Sequence, residues 1–195
     1  MSNKKIKIGL TGGIGVGKTY VGQIFIKLGY PVFNADIEAK ECIQNNHQLQ
    51  NSIKNKFGEK IYVKGVLQRE KLADIVFNDV LALKQLNNLV HPIVKKKFDD
   101  WCEKQTAKII IKEAAILFES NSHITLDYVI CVSTNLDTRI ERIKKRDNIS
   151  RKQIIDRIEN QMPQIEKEKL SDFVINNDGT QLILPQVLDI IYQIN

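Results

Sequence analysis

Three observations predict an α/β protein built in three layers, with helices on both faces of a parallel sheet. Short runs rich in β-branched residues alternate with segments of helical periodicity. Those runs are apolar almost throughout, as strands covered on both faces are. The octet Gly12 to Thr19, Gly-Gly-Ile-Gly-Val-Gly-Lys-Thr, fits the phosphate-binding loop pattern G-x-x-x-x-G-K-[ST]. With glycine at ordinary abundance, a match arises by accident in about one chain in a hundred of this length. Here it also has the setting that its chemistry requires, a strand before it and an amphipathic helix after it.

Taken in order, the first strand is predicted at Ile6–Thr11, and Val21, Ile24, Phe25 and Leu28 carry the helix that follows the loop. Further strands are predicted at Pro31–Asn34, Lys108–Lys112, Asp127–Ser133 and Phe173–Asn176, making five. The gap between the second and third is too long for one crossover. It holds four apolar stripes: Leu49, Ile53 and Phe57; Leu72, Ile75 and Val76; Leu83, Leu86 and Val90; and, beyond His91-Pro92, Ile93, Val94, Phe98 and Trp101. This predicts a helical insertion over about 37–104. A second insertion, about 135–165, reads as a helical lid: one helix from Asn135 to Arg146, then one capped by Ser150 with Ile154, Ile155 and Ile158 on its apolar side. The core is then about 1–36, 105–134 and 166–195, a single domain. Asn177-Asp178-Gly179 is a turn signal, and a last helix is predicted from about Leu182 to Tyr192 with Pro185 near its first turn.

Hydrophobic and charged fractions of 43% and 27% are those of a globular chain, and no apolar run reaches the ~20 residues of a membrane helix. The N-terminus runs straight into the first strand, so no signal peptide is expected. Cys42, Cys102 and Cys131 form no C-x-x-C pair and read as thiols of a reducing cytoplasm. Net charge is +6, but the arginines are not scattered: five of six lie between Arg139 and Arg157. Clustered guanidinium groups suit bidentate phosphate contact, which favours small polyanionic substrates over nucleic acid or a membrane as partners. A monomer or weak homo-oligomer is expected.

Each position of the loop has a task. Glycines let the backbone turn N–H groups of Gly13, Ile14, Gly15, Val16, Gly17, Lys18, Thr19 and Tyr20 toward one anion. The Lys18 ammonium reaches the outer phosphates and the Thr19 hydroxyl can ligate Mg²⁺. A GTPase is disfavoured: Asn55-Lys56 is followed by Phe57-Gly58, and no Asp has Gly three residues on. A helical insertion and an arginine-bearing lid suit a small-molecule kinase, in which excluding water lets an alcohol take the phosphoryl group.

In this arrangement the chain resembles the dephospho-coenzyme A kinase family along nearly its whole length. The carrying residues are Leu10 to Thr19; Asn34-Ala35-Asp36 with Ala39-Lys40; Gly65 to Arg69, Val76-Phe77 and His91-Pro92, which match the family's substrate-side helices; Leu117-Phe118-Glu119; Arg142, Arg146-Asp147, Arg157 and Gln161-Met162 in the lid; and Asp172 to Gly179. The resemblance implies a three-layer P-loop NTPase fold and transfer of the ATP γ-phosphoryl group to the ribose 3′-hydroxyl of dephospho-coenzyme A. It implies that Asp36 accepts or orients the attacking hydroxyl's proton, that Lys18, Arg142 and Arg146 stabilise charge on the transferring group, and that Arg157 is a further lid member. Asn177 is expected near ATP, and Arg69, Phe77 and His91 near the acceptor. Thr19 is the expected Mg²⁺ ligand, with Glu113 as second-shell acid. Three departures stand out: Glu113 where the family usually has Asp, Ala115-Ile116 for Pro-Leu, and Asn34 for the first Asp of Asp-Ala-Asp.

Two other readings remain open on sequence alone. A kinase for nucleosides or nucleoside monophosphates shares the fold and differs at the acceptor site. A nucleotide-dependent regulatory protein shares the loop but needs neither an acceptor-side carboxylate nor a water-excluding cap.

Overall fold

The computed structural model describes residues 5–194, apart from the side chains of Phe77 and Asn78. Within them the chain divides into two compact units, one running to Asn34 and resuming at Gln105, the other Ala35–Lys104.

The first unit is built on strands β1 (Ile6–Thr11), β2 (Val32–Asn34), β5 (Ile109–Glu113), β6 (Tyr128–Ser133) and β7 (Phe173–Asn176). They form one parallel sheet in the order β2-β5-β1-β6-β7. β1 is central, with β5 on one side and β6 on the other, so the chain leaves it in both directions. A crevice at the carboxyl ends of the strands follows from such a reversal. The strands are apolar almost throughout because both faces are covered: Ile8, Leu10, Ile110, Ile111, Ile130 and Val132 are wholly buried. Against one face pack α1 (Lys18–Lys27), through Val21 and Phe25, and α9 (Ile183–Ile194), through Val187, Ile190, Ile191 and Ile194. Pro185 sits in the first turn of α9, where its missing N–H costs no helical bond.

Between β6 and β7 come three helices rather than two: α6 (Leu136–Asp147), α7 (Arg151–Glu159) and α8 (Gln164–Leu170). Ser150 caps α7 in a full capping box with Gln153. Ile140 and Ile143 of α6 pack on Ile154 of α7, and Ile14 from the loop joins them. α8 carries Glu166, Lys167, Glu168 and Lys169 in seven residues, and its apolar periodicity is too weak to predict it.

The second unit holds α2 (Ala35–Asn45), α3 (His47–Phe57), α4 (Arg69–Asn78) and α5 (Val80–Lys104). Two expectations are corrected here. His91-Pro92 does not separate two helices: α5 runs unbroken for 25 residues. Its buried stripe, Ala82, Leu86, Val90, Val94, Phe98 and Cys102, repeats every four residues, while Pro92 lies on the exposed side. Asn88, the residue whose carbonyl Pro92 cannot bond, is itself exposed, and the buried stripe outweighs the proline's cost. The segment Gly65–Leu67 is not helical either. Strands β3 (Tyr62–Val63) and β4 (Val66–Leu67) form a hairpin around Lys64 and Gly65, both at positive φ (50° and 77°), as a two-residue primed turn requires.

Candidate active site

The loop between β1 and α1 must turn several carbonyls outward if its N–H groups are to face one anion, and each outward carbonyl needs a donor. This chain supplies them from within the first unit. The Lys18 ammonium bonds the carbonyls of Gly12 and Gly13 at 2.9 and 3.2 Å. Arg139 Nε donates to Ile14 O at 2.9 Å. Val16 O accepts from Asn177 Nδ2 at 2.7 Å and from Arg142 Nη1 at 3.1 Å. Arg142 Nη2 continues to Asn177 O at 3.0 Å.

Two glycines are required by geometry. Gly12 has φ +137°, and a Cβ there would sit 2.4 Å from the Val132 carbonyl oxygen. Gly17, at φ +94°, caps α1, and a Cβ would meet the Asn177 amide at 2.2 Å. Side chains rarely adopt either conformation.

The residues expected at the metal also converge. Thr19 Oγ1 donates to Glu113 Oε1 at 2.9 Å, and Asn34 Nδ2 donates to Glu113 Oε2 at 2.9 Å. β2 pairs with β5 so that Asn34 lies beside Glu113. The amide of Asn34 thus donates to the Glu113 carboxylate, which an aspartate at position 34 would repel. Among the described residues no group of three or more His, Cys, Asp or Glu side chains could hold a metal ion. The Thr19 hydroxyl and the Glu113 carboxylate behind it are oxygen donors of the kind that suits Mg²⁺.

The lid arginines divide. Arg142 lies on the loop, as does Arg139, which the sequence marked only as part of a cluster. Arg139 is 5% exposed, and burial pulls its guanidinium below the usual value. Arg146 does not reach the loop: its side chain is 60% exposed and forms a fork on Asp147, at 2.7 and 3.0 Å, an aspartate that also takes Arg157 at 2.9 Å. The hydrogen bond from Arg146, aided by the charge of Arg157, holds the Asp147 carboxyl below the usual range. Tyr20 is largely exposed, and its N–H bonds Gly17 O as the start of α1.

The residues expected near the acceptor belong to the second unit. Asp36 is partly buried in the first turn of α2, Arg69 is exposed as the first residue of α4, and His91 is partly buried in the middle of α5. Phe77 lies on α4, with its side chain outside the described residues.

Contacts from Gln161, Gln164, Glu119 and Lys167 were assigned no role from sequence. Gln161 and Gln164 accept the N–H groups of Ile14 and Gly13. Fully buried Lys167 pairs with Glu119 at 2.7 Å. The signal for Arg139 was present: positions 139, 142 and 146 share one helical face. Gln161 was marked only as part of the resembling lid pattern, and no signal marks Gln164.

Known proteins resemble this chain along nearly its whole length. A family model described as dephospho-CoA kinase matches residues 6–182. A dephospho-CoA kinase of Bacteroides fragilis is 37% identical over 187 residues, which is 95% of this chain and 91% of that protein. A solved protein of Thermus thermophilus superposes with a TM-score of 0.86 at 30% identity, with 97% of each chain covered. A dephospho-CoA kinase structure from Campylobacter jejuni gives 0.68 at 27% identity over 96% of each chain. With its phosphate loop and the arginine and carboxylate that attend it in place, this chain belongs to the dephospho-CoA kinase family.

Proposed function

We propose that the protein transfers the γ-phosphoryl group of ATP to the ribose 3′-hydroxyl of dephospho-coenzyme A, giving coenzyme A and ADP. The observation that carries this reading is the braced loop, with Lys18 and Thr19 at its end and Glu113 behind Thr19. Family membership supplies the acceptor. Lys18 leaves the carbonyls of Gly12 and Gly13 for the outer phosphates and, with the loop amides, stabilises the charge that grows on the transferring group. Arg142 adds positive charge from α6, and Arg146 exchanges Asp147 for the nucleotide. Thr19 would hold Mg²⁺, with the Glu113 carboxylate acting through the hydroxyl it already binds; such an ion would supply neutralisation of phosphate charge. Asp36 takes the proton of the attacking hydroxyl, and Arg69, Phe77 and His91 bind the acceptor. Asn177 fixes the loop beside the nucleotide. A cytoplasmic protein, a monomer or weak homo-oligomer without nucleic-acid partners, completes the reading; among the described residues no helix is long and apolar enough to cross a membrane.

The test is a coupled ADP-release assay offering dephospho-coenzyme A beside AMP, CMP and nucleosides, with product identified as coenzyme A. Preferred turnover of a nucleoside monophosphate overturns the acceptor assignment. Asp36→Asn is expected to keep ATP affinity and lose roughly 10² to 10⁴-fold in turnover; parental turnover would remove its role. Lys18→Ala is expected to lower both affinity and rate, and unchanged titration and kinetics would refute the loop assignment.

A further inference from the structure

The corner Gln161-Met162-Pro163-Gln164, which turns α7 into α8, makes contacts that the roles above leave unused. The Gln161 side-chain oxygen accepts from Ile14 N–H at 2.8 Å, and that of Gln164 accepts from Gly13 N–H at 2.9 Å. The Gln164 amide nitrogen donates onward to Val132 O at 3.1 Å and to Glu168 Oε1 at 3.0 Å. Gln164 thus joins the loop's first turn to the carboxyl end of β6. The corner is itself anchored. Met162 N–H donates to Glu119 at 2.9 Å, and the buried Lys167 ammonium bonds Glu119 at 2.7 Å and Ala115 O at 2.6 Å.

These contacts divide the loop's amides into two sets. The N–H groups of Gly13 and Ile14 are held by the glutamines, and that of Val16 turns back to Gly13 O. The N–H groups of Gly15, Gly17 and Thr19 have no partner among the described residues. A carboxamide oxygen suits the first set because it accepts a hydrogen bond without a net charge that would repel phosphate. We infer that Gln161 and Gln164 are positioning residues for phosphoryl transfer. They pin the loop's shoulder at Gly13 and Ile14, and so confine the polyphosphate to the amides from Gly15 onward. The inference rests on the nucleotide-binding part of the proposed function and not on the acceptor.

ADP titration by calorimetry, thermal midpoints, and KM values for ATP and for dephospho-coenzyme A test it on Gln161→Leu, Gln164→Leu and Gln164→Glu. Gln161→Leu removes one hydrogen bond; it is expected to keep the parental midpoint and to weaken ADP and raise the ATP KM by about three- to tenfold. The acceptor KM stays unchanged. Gln164→Glu keeps an acceptor for Gly13 but adds a negative charge, so it should weaken ADP more than Gln164→Leu does, by a margin that narrows in high salt. If Gln164→Leu does not fold, the other two variants carry the test. Parental ADP affinity and ATP KM in Gln161→Leu and Gln164→Glu overturn the inference, as does loss of activity that follows the midpoint alone. A parent protein that binds ADP but leaves dephospho-coenzyme A untouched would sink the acceptor assignment and leave this one standing.

Discussion

Position 12 is constrained twice, by a backbone angle that side chains rarely adopt and by a sheet carbonyl 2.4 Å from where a Cβ would sit. The Val132 oxygen belongs to β6 and cannot withdraw as a side-chain tip could. Gly12→Ala is therefore expected to cost about 1–3 kcal/mol from strain alone, and to abolish nucleotide binding because the loop must shift to relieve it. Urea unfolding and ADP titration measure the two effects. Parental values in both would show that the loop has room it is not credited with. The glycine pattern was legible in sequence because a main-chain anion cradle needs glycines at set positions. The partners of its main-chain groups were legible only in part. Lys18 belongs to the pattern, Arg142 to a visible cluster and Asn177 to a turn expected near the nucleotide, but the side-chain oxygens of Gln164 and Gln161, which accept the N–H groups of Gly13 and Ile14, arrive from more than 140 residues away along the chain, and spacing does not encode such contacts.

Among the elements, α7 shows its origin most directly: Ser150 and Gln153 satisfy each other's backbone N–H groups, and Ile154 follows on the buried side. Ser150→Ala is expected to lower stability by about 1 kcal/mol, and the thermal midpoint by about 2–4 °C. An unchanged midpoint would mean that α7 contributes nothing to the cooperative unit. Caps and apolar stripes are local, which is why this helix and all five sheet strands could be predicted to within a residue or two. α8 could not, since its fixed contacts are polar: Lys167 is wholly buried on Glu119 and Ala115 O. The break expected at His91-Pro92 failed for the opposite reason. A local helix breaker was overridden by a six-residue buried stripe on the other side of α5.

For the molecule as a whole, two buried acidic protons bound its stability at high pH. Burial pushes the Cys131 thiol up to about 11 and the Tyr62 hydroxyl up to about 12, both above their ordinary values of 9.0 and 10.0. Folded-state values that are raised mean that the folded protein holds these protons more tightly than the unfolded chain. The stabilisation is complete below pH 9 and is lost as pH rises toward 11 and 12. Urea unfolding from pH 7 to 11 should show stability level to about pH 9 and falling beyond; a flat profile to pH 11 would contradict it. The sequence by itself determined the fold class, the anion-binding loop and the family, because each is written in residues close along the chain or in an ordered set of short motifs. Tertiary structure decided which groups hold the loop in shape, that Asn34 donates to Glu113, and that Arg142 lies on the loop while Arg146 pairs with Asp147. Those outcomes depend on which side chains meet when distant segments pack, and on burial that makes every unpaired polar group costly.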